Sequence, residues 1–239
     1  MAGLTPVEQK IFEAWREAAP AGIKAEDHID MIRGRIKAIA HHEAGHMAAT
    51  AFFEGNVSHF EKITIIPTKD CQGFFRQSRI IPFSFRNFPG RIGWIRGQMA
   101  IIQALSGRMA EKRFDPYIET IDDAVNNGYG WELSDYPSEE DWLKKSDEGR
   151  VYEIANLMQK RGWPWYRILN MVEAWTDDFL NIPIVWQTVK NIAARLLDAG
   201  GITDFDEYYN LINPIVFNWP EFPEWNRRFN IKTEEYLKE

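Results

Sequence analysis

The feature that most constrains this chain is the run His42-Glu43-Ala44-Gly45-His46. Residues four apart project from one face of an α-helix, so the two imidazoles lie close enough to bind one metal ion. Glu43 is turned to the side of that pair, where its carboxylate can reach a water on the metal without binding the metal itself. This spacing is typical of zinc-dependent hydrolases.

The residues around this run predict a buried helix. They are small or apolar on both sides of it: Ile36, Ile39, Ala40, Met47, Ala48 and Ala51. Polar groups left unpaired in a protein core cost several kcal/mol, so two imidazoles there need partners, and a metal is one. The alternative is that His42 and His46 pack or face water without a metal. His41 does not fit the two-ligand face, so we expect it to be a neighbour of the site or an exposed residue.

Composition favours one main domain and excludes some partners. The 239 residues are 45% hydrophobic, include ten Trp and carry a net charge of -7. Nucleic acid and anionic membranes reward clusters of Lys and Arg, which this acidic chain lacks. Cys71 is the only cysteine, which suits a reducing compartment. No signal peptide and no run of roughly 18 apolar residues are visible, so we expect a cytoplasmic protein without a membrane partner.

The order of predicted elements indicates a mainly α fold of the α+β class. Thr5-Pro6-Val7-Glu8 is typical of a helix start, and a second helix carries the histidine motif and ends near Gly55. The β-branched run at 62–67 predicts a strand, with residues 73–76 as its return partner. Apolar residues at helical spacing over 91–114 predict a core helix. The expected architecture is a zincin-like metal helix with one small β-sheet beside the active site.

Three segments divide the chain. Residues 1–30 are expected to be an accessory helix and connector, 31–212 the main domain, and 213–239 an aromatic and Pro-rich tail packed on it. The accessory helix could instead be an exposed helix that binds a partner. Residues 115–137 are polar and contain glycine, which predicts a long loop, and such loops are often functional.

A candidate third ligand follows that loop. Asp147 shares a helical face with Val151 and Ala155, and an acid on the buried stripe of a helix is unusual. Ser146 could instead cap a helix that begins at Asp147, which would make the carboxylate only a helix-terminus charge. Two imidazoles and one carboxylate leave the fourth zinc position open for water.

Four stretches, in order, resemble the peptidase domain of the FtsH family of ATP-dependent zinc metalloproteases: 40–47, 62–67 with Gly73 and Phe74, 104–111, and 146–147 with its helix. In the third stretch Ser106 replaces the first of the family's two glycines. The resemblance spans roughly residues 36–212 and implies that Asp147 is the third zinc ligand beside the two histidines. The loop before it is longer than the family's, which makes Asp141 the alternative ligand.

The resemblance implies a zinc metalloendopeptidase with Glu43 as the catalytic base. The family's membrane segment and ATPase module have no counterpart in these residues, so we expect an ATP-independent hydrolase that cuts flexible or unfolded polypeptides. A substrate could lie along the strand at 63–66. Two alternatives stay open: a zinc-stabilised, non-catalytic binding module, and a regulatory peptidase with a single protein target. No oligomeric state is predicted.

Overall fold

The computed structural model describes residues 4–18, 29–54, 59–67, 73–77, 90–115, 147–162 and 165–216. These ranges are mainly helical with one small antiparallel sheet, so the expected fold class is confirmed. The helices are α1 (Pro6–Ala18), α2 (Ile29–Glu54), α3 (Gly90–Phe114), α4 (Asp147–Gln159), α5 (Trp165–Leu180), α6 (Pro183–Ala199) and α7 (Phe205–Val216). The strands are β1 (Phe60–Thr64), β2 (Phe74–Gln77) and β3 (Gly201–Ile202).

Helix α2 is the centre of the core. It packs against α3 and α6, and smaller contacts join it to α1, α7 and the sheet. Ala40, Met47 and Ala48 are fully buried, so the predicted burial of this helix is confirmed. A helix with this many buried apolar residues is stable only when other elements pack against it, which accounts for its central position. None of the described helices is long and apolar enough to cross a membrane.

The backbones of α2 and α3 meet where Gly45 faces Ser106. A Cβ atom added to Gly45 would lie 2.2 Å from the carbonyl oxygen of Ser106 and 2.8 Å from the Cβ atom of Ala110. The helices can approach this closely only because residue 45 has no side chain. Ser106 is fully buried, and its hydroxyl donates a hydrogen bond of 2.7 Å to the carbonyl of Ile102. The serine therefore fits this contact because its polar atom is satisfied within its own helix.

The sheet has the strand order β2-β1-β3, with both pairs antiparallel. Ile63 pairs with Phe75 on one side and with Ile202 on the other. The expectation that a substrate lies along the strand at 63–66 is therefore wrong, because β3 already occupies that edge. In the described part of the sheet, β2 is the longer of the two outer strands.

Helix α1 begins as predicted and packs on the main domain. The backbone N–H of Thr5 donates to Glu8 Oε2 at 2.7 Å, and the Glu8 N–H donates to Thr5 Oγ1 at 3.2 Å. This reciprocal pair is a capping box. Arg33 of α2 also binds the Glu8 carboxylate at 3.0 Å, and Ile11 is fully buried. Helix α1 is thus held against α2, while residues 1–3 and 19–28 lie outside the described ranges.

The C-terminal third differs from expectation in one place. Gly200 ends α6 in a left-handed conformation with φ 77°, and Gly201 then enters strand β3. Pro214 lies inside α7, which runs to Val216, so the segment predicted as a tail from 213 begins within a helix. The rest of that segment, 217–239, and residues 116–146 lie outside the described residues.

Candidate metal centre

Three side chains converge where α2, α3 and α4 meet. The Nε2 atoms of His42 and His46 lie 3.0 and 2.9 Å from Oδ2 of Asp147, and 3.0 Å from each other. Ligand atoms on one tetrahedral zinc ion lie about 3.4 Å apart, given bonds of about 2.1 Å, which is about half an ångström wider than these separations. Two imidazole nitrogens and one carboxylate oxygen are also the ligand types that zinc prefers. The three residues therefore fit a zinc ion in chemistry, and in spacing after a small outward shift of the side chains.

Asp147 reaches this point from far along the chain. It is the first residue of α4, more than a hundred positions after the histidines. The exposed fraction of its side chain is 35%, against 24% for His42 and 14% for His46. The carboxylate of Asp147 is thus the most exposed of the three groups, and the imidazole of His46 the least exposed.

Helix α3 fixes the orientation of both imidazoles. His46 Nδ1 donates to the carbonyl oxygen of Gln103 at 2.8 Å, and His42 Nδ1 donates to Glu111 Oε2 at 2.9 Å. An oxygen acceptor at Nδ1 requires the proton there, so the neutral ring keeps its lone pair on Nε2. The other oxygen of Glu111 accepts a hydrogen bond of 2.8 Å from Arg35. Both Nε2 atoms are therefore oriented for metal binding.

Sequence reasoning missed the role of Glu111. It lies in one of the stretches that resemble the FtsH family, but it is 69 positions from His42 and nothing local marks it as a partner. The available signal is spacing along α3: Gln103 and Glu111 are eight positions apart, which places both on one face over two turns. That face becomes informative only once α3 is known to cross the histidine motif.

Charge within the cluster shifts the pKa values of all three side chains. Burial opposes ionisation of Asp147, but the charge on His46 and hydrogen bonds from both imidazoles hold the pKa of its carboxyl well below its usual range. Burial also lowers the pKa of His42, yet the carboxylates of Asp147 and Glu111 raise it well above its ordinary value. The pKa of His46 is raised by Asp147 against the same burial. A metal at this site must therefore displace protons from the imidazoles.

Glu43 lies beside the ligand atoms without being one of them. Its exposed fraction is 5%, and burial raises the pKa of its carboxyl although the two nearby histidines oppose the shift. The converging ligand group found among the described residues consists of His42, His46 and Asp147. A carboxylate whose pKa is raised towards neutrality is suited to accept and return a proton.

His41 has a packing role next to the site. It is 8% exposed, and its Nδ1 donates to the carbonyl of Lys37 at 2.8 Å. Its ring stacks on Phe114 at 4.1 Å between centroids and lies 6.0 Å from the ring of Trp186. Burial lowers the pKa of this imidazole. Of the two expectations, the structure supports a buried neighbour and contradicts an exposed residue.

Two other predicted features lie outside the described residues. They are Asp141, the alternative third ligand, and Ser146, the predicted cap of α4. Apart from Asp115, the same holds for the loop at 115–137. Asp147 is thus the candidate carboxylate that the described structure brings to the histidines.

The chain matches no protein-family model and no curated protein sequence. The resemblance to FtsH peptidase domains therefore stays a prediction that depends on four short stretches. The chemistry of this site must be argued from its own atoms.

Proposed function

We propose that this chain is a zinc metalloendopeptidase that hydrolyses peptide bonds in flexible or unfolded polypeptides without ATP. One observation carries the proposal: the carboxylate of Asp147 lies within 3.0 Å of both imidazoles of a His-Glu-Ala-Gly-His helix. Two imidazole nitrogens and one carboxylate oxygen that converge on one point are the ligand arrangement of a catalytic zinc ion. The resemblance to the FtsH family, though short, supports the same ligand set and the same base.

The ligands would be His42, His46 and Asp147. When bound, zinc supplies Lewis acidity, which polarises a carbonyl and lowers the pKa of a water to about 7. Gln103 and Glu111 keep both imidazoles in the tautomer that leaves Nε2 free for a metal. The three ligands would hold the ion, and Gln103 and Glu111 would keep the two imidazoles in place around it.

Glu43 would move the proton. A water attacks the scissile carbonyl carbon, and Glu43 takes a proton from that water as the new C–O bond forms. The same carboxyl then returns the proton to the amine nitrogen as the C–N bond breaks. Its buried position beside His42 and His46, with a raised pKa, suits both transfers.

The ligand count favours an enzyme over a structural zinc site. Within the described ranges three ligand side chains converge, and the site opens to solvent near Asp147. A structural zinc site usually has four protein ligands, whereas a catalytic one keeps a position for water. The binding-module alternative predicts such a fourth protein ligand.

The proposed substrate is an extended polypeptide. Strand β2 is an outer strand in the described part of the sheet, and an extended peptide can pair with such an edge through its backbone. A single cysteine suits a reducing compartment, so we propose the cytoplasm as its location. The acidic composition makes nucleic acid an unfavourable partner.

The test is the variant Glu43→Gln, assayed on fluorescently labelled, unfolded casein with the zinc-loaded protein. We expect cleavage to fall about a hundredfold to ten-thousandfold, because the proton acceptor is lost, while zinc per chain is unchanged. Glu153→Gln is the matched control, since Glu153 is an exposed residue of α4.

Three other results would change the account. Equal cleavage by Glu43→Gln and the wild type would contradict the assigned base. A zinc-loaded wild type that cuts no unfolded protein would favour the binding module. Cleavage of a single protein in a proteome-wide screen would identify the regulatory peptidase.

A further inference from the structure

Gly107 of α3 lies against the imidazole of His46. A Cβ atom added at Gly107 would lie 2.3 Å from His46 Nε2 and 2.7 Å from each of the two ring carbons beside it. Atoms in proteins do not approach this closely, so any side chain at this position requires His46 or its helix to move. The backbone of α3 therefore forms one wall of the space that the ligand nitrogen occupies.

Neither partner can move easily. The His46 ring is fixed at its far side by the hydrogen bond from Nδ1 to Gln103. Helices α2 and α3 are already in contact at Gly45 and Ser106, the residues immediately before His46 and Gly107, so their spacing is set there. A side chain at Gly107 would thus displace the imidazole from the position in which it meets Asp147.

Gly73 has the corresponding relation to Glu43. A Cβ atom at Gly73, just before β2, would lie 2.9 Å from Glu43 Oε1 and 3.0 Å from Ile39 Cγ2. The carboxylate is the end of a flexible side chain, so it can turn aside at little cost to the fold. A side chain at Gly73 would therefore move the Glu43 carboxylate away from its present position beside the two histidines.

We infer that Gly107 and Gly73 are positioning residues: Gly107 keeps the space that His46 needs to bind the metal, and Gly73 keeps the space that Glu43 needs to act as the base. The roles of His46 as ligand and Glu43 as base come from the proposed function, whereas the two close contacts with the glycines do not depend on it. Two separate defects are expected. Gly107→Ala impairs metal binding, and Gly73→Ala impairs turnover without loss of metal.

The control is Gly34→Ala. Gly34 lies in α2, and a Cβ atom there meets no atom within 4 Å. Alanine favours a helix over glycine, so this variant should melt at the same temperature as the wild type or higher, with the same zinc affinity. It separates the effect of a methyl group in a helix from the effect of a methyl group against the site.

The experiment for Gly107 titrates metal-free protein with Zn²⁺ against a chelating dye. We expect Gly107→Ala to bind zinc about ten- to hundred-fold more weakly than the wild type or Gly34→Ala, as happens when the support of a ligand is disturbed. The visible spectrum of the Co²⁺ form should change as well, because it reports ligand geometry. Equal zinc affinity and an unchanged spectrum would overturn the role of Gly107.

A double-mutant cycle with His46→Ala decides the case if Gly107→Ala is unstable. If the methyl group clashes with the imidazole, it should lower the melting temperature in the wild type but not in the His46→Ala background. An equal loss in both backgrounds would place the clash elsewhere and overturn the inference. This cycle needs no metal, so it still decides the role of Gly107 if the wild type binds no zinc and the proposed function fails.

For Gly73, steady-state kinetics on unfolded casein separate positioning from substrate binding. We expect Gly73→Ala to keep its zinc and its KM while kcat falls about ten- to hundred-fold, because the base is misplaced. An unchanged kcat, or a rise in KM alone, would contradict this role.

Discussion

The two sides of α2 are built in different ways. Towards α6 the contact is mainly apolar, and α6 contributes five apolar residues that are fully buried: Val185, Val189, Ile192, Ala193 and Leu196. Towards α3 and α4 the contact includes the hydrogen-bonded imidazoles and carboxylates of His42, His46, Glu111 and Asp147, with the buried carboxylate of Glu43 beside them. The stability of the apolar side depends on buried area and shape, whereas that of the polar side depends on individual hydrogen bonds between atoms of α2, α3 and α4. One helix thus supports the fold with one side and the proposed chemistry with the other.

The largest expected effect is on stability, from the apolar region. Phe179 of α5 is fully buried. The centroid of its ring lies 4.9 Å from that of Phe52 and 5.6 Å from that of Phe53, near the end of α2. Phe179→Ala should lower the free energy of unfolding by about 3–5 kcal/mol, because it removes a buried ring and leaves a cavity. Urea denaturation measures this loss.

If the two sides of α2 are independent, zinc binding should survive in Phe179→Ala. Zinc per folded chain in Phe179→Ala should equal that of the wild type under conditions where both are folded. A loss of zinc from the folded variant would show that the two sides of α2 are not independent.

The next effect concerns the polar side alone. Glu111→Ala removes the acceptor of His42 Nδ1 and one partner of Arg35. We expect zinc affinity to fall about ten- to hundred-fold, because the imidazole loses its fixed tautomer and orientation. Competition with a chelating dye measures the affinity, and Glu153→Ala on α4 is the charge-matched control. An affinity equal to that of the control would contradict the role of Glu111.

The sequence predicted individual helices well, because their signals are local. The periodic run at 91–114 corresponds to α3 at Gly90–Phe114, and the capping box at Thr5 and Glu8 forms as expected. The predicted strand at 62–67 and its return partner at 73–76 overlap β1 and β2, but the central place of β1 in the sheet could not be predicted in the same way. It depends on β3, a strand of two residues that follows Gly200 and gives no periodic signal of its own.

The site shows the same division. His42, Glu43 and His46 could be identified because one helical turn places them together. Asp147 could be identified either because it is an acid on the buried stripe of a helix or because of the resemblance to a family. Glu111 and Gly107 could not be assigned roles, since each matters only through the crossing of α3 over α2. Contacts between distant elements carry no local pattern, so they appear only in the folded structure.

A third effect is a difference in pH dependence between the metal-free and zinc-bound forms. In the metal-free chain the pKa values of His42 and His46 are raised, so their stabilisation is complete below about pH 6.5 and is lost as the pH rises. The pKa of Asp147 is lowered, so its stabilisation holds above about pH 4 and is lost as the pH falls. The cluster therefore stabilises the metal-free chain most between about pH 4 and 6.5.

Zinc must displace the imidazole protons, so its own stabilisation should increase with pH. Thermal unfolding with zinc and with chelator, at about pH 5.5 and 8, should show the larger zinc-induced rise in melting temperature at about pH 8. His46→Ala should show little rise at either pH. A zinc-induced rise that is larger at the lower pH would contradict the proton competition.

The smallest effect is expected far from both regions, at the start of α1. Glu8→Gln weakens the capping box with Thr5 and the ion pair with Arg33, both partly exposed to solvent. We expect a loss of about 1 kcal/mol or less in the free energy of unfolding, and no change in zinc affinity. Urea denaturation and dye competition check the two parts. A change in zinc affinity would show that α1 communicates with the metal site.

The measurement that tests the central claim most directly is zinc per chain in the wild type and in Asp147→Ala, purified in the presence of zinc. The account predicts about one zinc ion per wild-type chain and a large loss in the variant, because Asp147 provides the third ligand. A full complement of zinc in Asp147→Ala would contradict this ligand set. A wild type without zinc would contradict the metal centre itself.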